Sequence, residues 1–392
     1  MQTIAKSGND GKLVKSDCSV KIKLTKSGGI SINLTSKVKT YFGNSIIELC
    51  KKELKYFDIK NAEVEINDKA ALDYVIMARI ESAIKQLIKT KKEYLPDVKI
   101  IHTRATNKNR LRRSRLYLPG NSPKLSINAG LHDADGIILD LEDSVAPNKK
   151  DEAKILVRNT LIKTNFYDSE KMVRINQLPA GLDDLEYIVP YNVNVILIPK
   201  CETAEQILQV ENKVENILKE KNLKNTIWFM PIIESALGVV NSFKIASASE
   251  RVVALAIGLE DYTADIGTSR TNEGNESFFA RSQIMNSAKA AGVQAIGSVF
   301  SDVTDIDGLR KYVKDAKAQG FNGIGCIHPR QIPVIHEAFA PTKDEITKAK
   351  EIVEAFKDAK EKGLGVVSIG SKMIDPPVVK RAEQTLKMSK IK

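Results

Sequence analysis

Cysteine is scarce in this chain of 392 residues. The four present, Cys18, Cys50, Cys201 and Cys326, form no CxxC pair. That scatter argues against a disulfide framework and against structural zinc, and it points to a reducing compartment. No apolar run approaches the ~20 residues that span a bilayer, and the N-terminus lacks the apolar core of a secretory signal. A cytoplasmic protein without membrane contact is expected. Aromatic residues are 6% of the chain and are not interleaved with the basic ones, so nucleic-acid binding finds little support despite a net charge of +11. Neither a P-loop nor a GxGxxG pattern is present, which gives nucleotide binding no support.

The positive charge is unevenly placed. Residues 1–100 carry 19 basic and 12 acidic residues, residues 101–115 six basic and no acidic ones, and the remaining 277 are close to balanced. The basic join is expected to meet an anionic group or a partner subunit.

What is present is a repeat. Eight short apolar runs lie at 115–118, 136–141, 172–176, 193–199, 227–233, 252–258, 293–300 and 323–327, each followed by polar residues and then helical spacing. Such runs read as buried parallel strands. Eight strand–helix units over about 250 residues have the size of a (β/α)8 barrel, whose chemistry sits at the C-terminal strand ends. Residues 1–92 form a separate small α+β unit. A hairpin is expected from 18–25 and 29–34 about Lys26-Ser27-Gly28-Gly29, then a helix in 42–56, a strand at 62–66 and a helix in 70–88. Residues 93–112 read as a basic linker, and 113–392 as the barrel with a tail.

The rim holds the candidate chemistry. Glu234 and Asp261 follow the fifth and sixth runs. Two carboxylates without His or Cys suit a hard cation such as Mg²⁺; capping helices or pairing with a barrel cation is the alternative. Arg174 lies inside the third run, where a charge must be paired. Its fork suits a substrate carboxylate, or else an ion pair with Asp140 or Glu142. Asp140 and Glu142 share a face at the end of the second run. They are proton-transfer candidates, or they orient Arg174 and Lys200. Arg115 opens the first run and is a candidate substrate ligand, with a solvated role as the stronger alternative. Asp302 is a second candidate base, and His328 reads as structural.

The runs also carry recognisable motifs: RSRLYLPGNSPK (113–124), GIILDLEDSVAPNKKDEA (136–153), VRIN (173–176), PKCETAEQI (199–207), PIIESALGV (231–239), GLEDYTADIG (258–267), VFSDVTDIDGL (299–309), GFNGIGCIHPRQIPVI (320–335) and MIDPPVVKRA (373–382). Together they resemble the citrate lyase beta subunit, of the HpcH/HpaI aldolase and citrate lyase superfamily. The resemblance implies cleavage of a citryl thioester to oxaloacetate and acetyl thioester. It implies Arg174 on the substrate carboxylate, Glu234 on metal and substrate, and Asp261 on the metal, with Glu142 a plausible base. Residues 1–90, above all INDKAALDYVIMARIESA (66–83), resemble the citrate lyase gamma subunit, an acyl carrier. That family bears a phosphoribosyl-dephospho-CoA arm on a serine. The aligned position here is Lys15, so Ser16 becomes the candidate attachment residue.

The resemblance further implies a transferase (alpha) subunit as partner and a homo-oligomeric assembly. Two rival readings stand beside it. One is an acyl-CoA lyase for malyl-CoA or citramalyl-CoA with a vestigial carrier. The other is a non-catalytic subunit that organises a citrate lyase complex.

Overall fold

A computed structural model describes residues 3–97, 105–361, 363, 365–370 and 372–389. The N-terminal unit contains β1 (Ile4–Gly8), β2 (Cys18–Leu24), β3 (Ile30–Ser36), α1 (Lys39–Tyr56), β4 (Ala62–Asp68) and α2 (Asp73–Leu87). Its sheet order is β1-β2-β4-β3. The expected hairpin does not form. β4 lies between β2 and β3, antiparallel to the first and parallel to the second. The residues at 26–29 do end β2, but they start a crossover over the edge of β4 instead of a hairpin turn. There Thr25 N–H donates to Asn61 O and Ala62 N–H to Gly29 O.

Eight parallel strands close the barrel: β5 (Ser114–Pro119), β6 (Gly136–Asp140), β7 (Glu170–Arg174), β8 (Val195–Ile198), β9 (Trp228–Ile233), β10 (Ala254–Ile257), β11 (Gln294–Gly297) and β12 (Gly323–Cys326). Helices include α3 (Pro123–Ser126), α4 (Lys150–Lys163), α5 (Gly181–Ile188), α6 (Ala204–Glu220), α7 (Ala236–Ala246), α8 (Leu259–Asp265), α9 (Phe278–Ala290), α10 (Ile306–Gln319) and α11 (Gln331–Phe339). Beyond them, α12 (Lys343–Glu361), the β13–β14 hairpin (Val367–Ile369, Lys372–Ile374) and α13 (Pro376–Ser389) pack on one another.

Strand alternation sorts the side chains. Ile138, Met172, Val195, Leu197, Met230, Ile232, Ala254, Ala256 and Ile296 fill the barrel interior. Their neighbours Ile137, Leu139, Val173, Ile196 and Ile233 face the helices. The inward rows continue upward two residues at a time: Ile138 to Asp140, Met172 to Arg174, Ile232 to Glu234. The alternation that builds the core therefore delivers these polar groups to the barrel axis at its C-terminal mouth.

The two units are not separated by a free tether. Helix α2 lies against α4, with Tyr74, Val75, Ala78, Ile155 and Leu156 between them. Two buried ion-pair sets cross this seam. Arg79 joins Asp17 at 2.9 Å and Glu152 at 3.2 Å, and Arg158 joins Glu81 at 2.8 Å and Glu93 at 3.0 Å. Part of the proposed linker, 98–104, lies outside the described residues. At its end Arg112 pairs with Glu170 (2.7 Å), and the next residue, Arg113, with Asp135 (2.9 Å), so these two cations of the basic join meet anionic groups of the barrel itself. Among the described residues no helix is long and apolar enough to cross a membrane, and all four cysteines are free and buried.

Candidate active site

Arg174 ends β7 rather than lying within it. Its Nε and Nη2 donate to the two oxygens of Asp140, each at 2.7 Å. Its Nη1 faces Glu142 (2.9 Å) and Asp143 (3.2 Å). The ion pair that the sequence allowed as an alternative is present, and it holds the fork rigid, each of its three nitrogens facing a carboxylate. Burial alone would raise the Asp140 carboxyl; the Arg174 hydrogen bonds outweigh it and hold the group below its ordinary range. Glu142 behaves oppositely. Burial, with Asp143 beside it, pushes it up, which suits a proton acceptor poised nearer neutrality.

Lys200 is the residue whose role the sequence left undefined. It follows β8 in a left-handed backbone conformation (φ 46°). Its ammonium stands 3.3 Å from Glu142, 3.5 Å from Asp261 and 3.7 Å from Asp143. Its backbone N–H donates to Glu234 Oε2 at 2.9 Å. One lysine thus ties together carboxylates from three loops. Glu234 is buried, and that burial pushes it up to about 7, with the Asp261 charge adding to the effect. Gly258 makes room for it: a Cβ there would lie 2.4 Å from Glu234 Oε1.

Three carboxylates gathered on one cation make an oxygen-rich position of the kind a divalent ion takes. Among the described residues no three acidic, His or Cys side chains form a closed metal cage. The donor set therefore fits an ion held by one or two carboxylates and completed by water and substrate oxygens, the habit of Mg²⁺.

Other candidates fall elsewhere. Arg115 is 1% exposed, in the barrel interior, and the expectation that it is solvated is overturned. Asp302 accepts hydrogen bonds from Thr304 N–H and Oγ–H and from Asp305 N–H, which hold it below its ordinary range. It caps a turn beside an 840 Å³ cavity that it shares with Glu260 and Arg270, and it makes a poor base. His328 Nδ1 accepts from Arg330 N–H, within its own turn. Ser16 lies in the segment between β1 and β2. It is left-handed (φ 56°), with its N–H on Lys69 O.

A closed (β/α)8 barrel with an acidic, lysine-bridged mouth defines an enzyme of the metal-assisted type, here joined to a small carrier-like unit. Residues 113–329 match the family described as HpcH/HpaI aldolase/citrate lyase, and residues 6–87 match the malonate decarboxylase delta subunit. The chain belongs to the HpcH/HpaI aldolase/citrate lyase family. It is 40% identical over 286 residues to citrate lyase subunit beta of Leuconostoc mesenteroides subsp. cremoris, covering 72% of this chain and 95% of that protein. It is 34% identical over 290 residues to human mitochondrial citramalyl-CoA lyase, covering 71% and 85%. The crystal structure of CitE from Mycobacterium tuberculosis in complex with magnesium, acetoacetate and coenzyme A superposes with a TM-score of 0.61 at 29% identity, covering 72% of this chain and 99% of that one.

Proposed function

We propose that the barrel is a Mg²⁺-dependent carbon–carbon lyase that cleaves a citryl thioester to oxaloacetate and an acetyl thioester. The observation that carries this reading is the set of carboxylates, Glu142, Asp143 and Asp261, gathered on one ammonium beside buried Glu234. Glu234 and Asp261 would hold the ion, which when bound supplies Lewis-acid polarisation of the oxygen that becomes the ketone. Arg174, fixed by Asp140, orients a substrate carboxylate. Glu142 takes the proton of the tertiary hydroxyl. As that O–H bond breaks, the ketone forms, the neighbouring C–C bond breaks, and its electron pair passes to the thioester as an enolate. Protonation of that carbon completes the acetyl thioester.

Ser16 is the attachment residue we assign to a phosphoribosyl-dephospho-CoA arm. Next to it Asp17 is held by Arg79, and Arg79 Nη2 also donates to Asn121 O (3.1 Å) in the loop that follows β5. An arm at Ser16 would start beside the barrel mouth and serve its own barrel. A transferase subunit would load such an arm. Exposed Leu237, Val240 and Phe243 on α7 support association with further copies.

The test is a coupled assay of oxaloacetate release from citryl-CoA by the full chain. Loss of turnover in EDTA and in Glu234→Gln and Asp261→Asn supports the reading; full activity in either setting overturns it. Turnover of citramalyl-CoA or malyl-CoA in place of citryl-CoA would assign the barrel to the acyl-CoA lyases. Absence of turnover with every thioester would favour an organising subunit. A mass adduct on host-purified protein that disappears in Ser16→Ala supports the arm; one that persists places it on another residue.

A further inference from the structure

Tyr117 stands in the mouth with a polar group that the proposed chemistry leaves unused. Alternation along β5 turns both Arg115 and Tyr117 toward the barrel axis. The Tyr117 ring lies under the Arg174 guanidinium, 5.4 Å from centroid to Cζ. On its other side β12 carries Gly325, where a Cβ would come within 3.1 Å of Tyr117 Cε2. The glycine lets the ring lie at the floor of the site. The ring is half-buried rather than sealed, and its hydroxyl makes no hydrogen bond among the described residues. Arg115, Arg174, Glu234 and Asp140 are the charged groups around it. Burial raises the phenol further above its ordinary range, so at neutral pH it is a donor.

Arg115 lies beneath it. The other large buried arginines each face carboxylates: Arg79, Arg112 and Arg158. Arg115 faces none. Its Nη1 meets Met230 Sδ at 3.2 Å, its Nη2 meets Gly297 O at 3.4 Å, and its Nε has no partner. A buried cation without a paired carboxylate is unfavourable, and it leaves a local positive charge beneath the ring. A free donor above an uncompensated cation matches an anionic oxygen.

We propose that Tyr117 is a further substrate-binding residue, its hydroxyl donating to an anionic oxygen of the 2-keto-acid fragment, and that Arg115 is a positioning residue that keeps the floor positive. This rests on the lyase reading above. The keto acid is thereby held from two sides, by Arg174 and by the floor, and the coenzyme A half makes no contact with Tyr117.

Calorimetric titration of the full chain with oxaloacetate in the presence of Mg²⁺, and separately with coenzyme A, tests it. Tyr117→Phe keeps the ring under Arg174 and removes only the hydroxyl. Its oxaloacetate Kd is expected to rise about tenfold, the loss of one hydrogen bond to a charged group, with coenzyme A affinity and thermal midpoint unchanged. Arg115→Met is expected to weaken oxaloacetate in the same sense without lowering the midpoint. Should Arg115→Met fail to fold, Tyr117→Phe still decides. A Tyr117→Phe protein that binds oxaloacetate as tightly as the wild type overturns the proposal alone. A wild-type chain that neither binds oxaloacetate nor cleaves citryl-CoA overturns the lyase reading and this proposal with it.

Discussion

Replacing Arg79 by Met would test whether the carrier-like unit and the barrel are one cooperative body. The Arg79 side chain is 0% exposed, and its partners Asp17 and Glu152 are nearly as deeply buried. Methionine fills much of the same volume but leaves two carboxylates facing a lost cation. Glu152 keeps Lys149 at 3.0 Å and the Gly8 N–H at 2.9 Å. Asp17 keeps the Asn9 amide at 2.9 Å. Removing one member of a buried pair costs about 3–5 kcal/mol, and the retained partners set the lower end as the better expectation, about 3 kcal/mol. The single tryptophan makes the assay specific. Trp228 belongs to β9 and donates to Thr106 O, so its fluorescence follows the barrel, whereas far-ultraviolet circular dichroism follows the whole chain. In urea the two transitions of the wild type should coincide. In Arg79→Met the dichroism should begin to fall first, as the N-terminal unit separates, with the fluorescence midpoint less affected. Coincident transitions in the variant, with a stability change below about 1 kcal/mol, would refute the idea that this arginine holds the units together.

Three further outcomes follow from the same contacts. Gly258→Ala would drive a methyl group into the Glu234 carboxylate, 2.4 Å from Oε1 and 2.7 Å from Cγ; Mn²⁺ binding followed by electron paramagnetic resonance should weaken at least tenfold while the fold persists, about 1.4 kcal/mol or more of lost affinity. Lys200→Met removes an ammonium 3.5 Å from Asp261; even at the dielectric of water that repulsion toward an incoming cation is about 1 kcal/mol, so Mg²⁺ affinity should rise several-fold in calorimetry, and an unchanged or weaker affinity would count against a shared position. The Glu152 carboxyl is raised by burial but lowered more by Arg79 and Gly8, for a net value below its ordinary 4.5. Its folded value is therefore the lower one, so its stabilisation is present above about pH 4.5 and drains away as pH falls through the folded value. Glu152→Gln should flatten the stability-versus-pH curve below about pH 4.5, measured by urea midpoints.

The barrel was legible because each strand is a short apolar run between breakers, and all eight runs became strands within a few residues of their expected ends. Asp140, Arg174 and Glu234 were legible for the same reason, since the alternation that makes Ile138, Met172 and Ile232 core places them two residues further up. The N-terminal sheet was less so. Pairing partners depend on contacts between residues far apart, and nothing local in residues 18–34 says that β4 will separate two neighbouring strands. Strand β1 is five residues with Lys6, Ser7 and Gly8 in it, too polar to stand out. Arg115 misled because it ends a basic segment, yet its parity with Tyr117 already turned it inward. Lys200 entered only as a cation for the strand-end carboxylates to orient, and its closeness to Asp261 depends on where the separate helix α8 packs. The seam that carries the Ser16 loop to the barrel mouth depends on Glu152, 136 residues later.

The seam sets an order of events during synthesis. Asp17, Arg79 and Glu81 leave the ribosome well before Glu152 and Arg158. Domains generally fold from the N-terminus as they emerge, so the first unit meets the growing barrel with Arg79 on Asp17 and with Glu81 held by Lys85, its neighbour one turn on, and by the Tyr94 N–H. Helix α4, the first long helix of the barrel, supplies what both sets lack. The nascent barrel is thus recruited onto a finished surface at its second strand–helix unit, long before β12 arrives to close the ring against β5. The N-terminal unit acts as a built-in assembly template, and a gene split between the two halves would lose that head start even if both products were made in equal amounts.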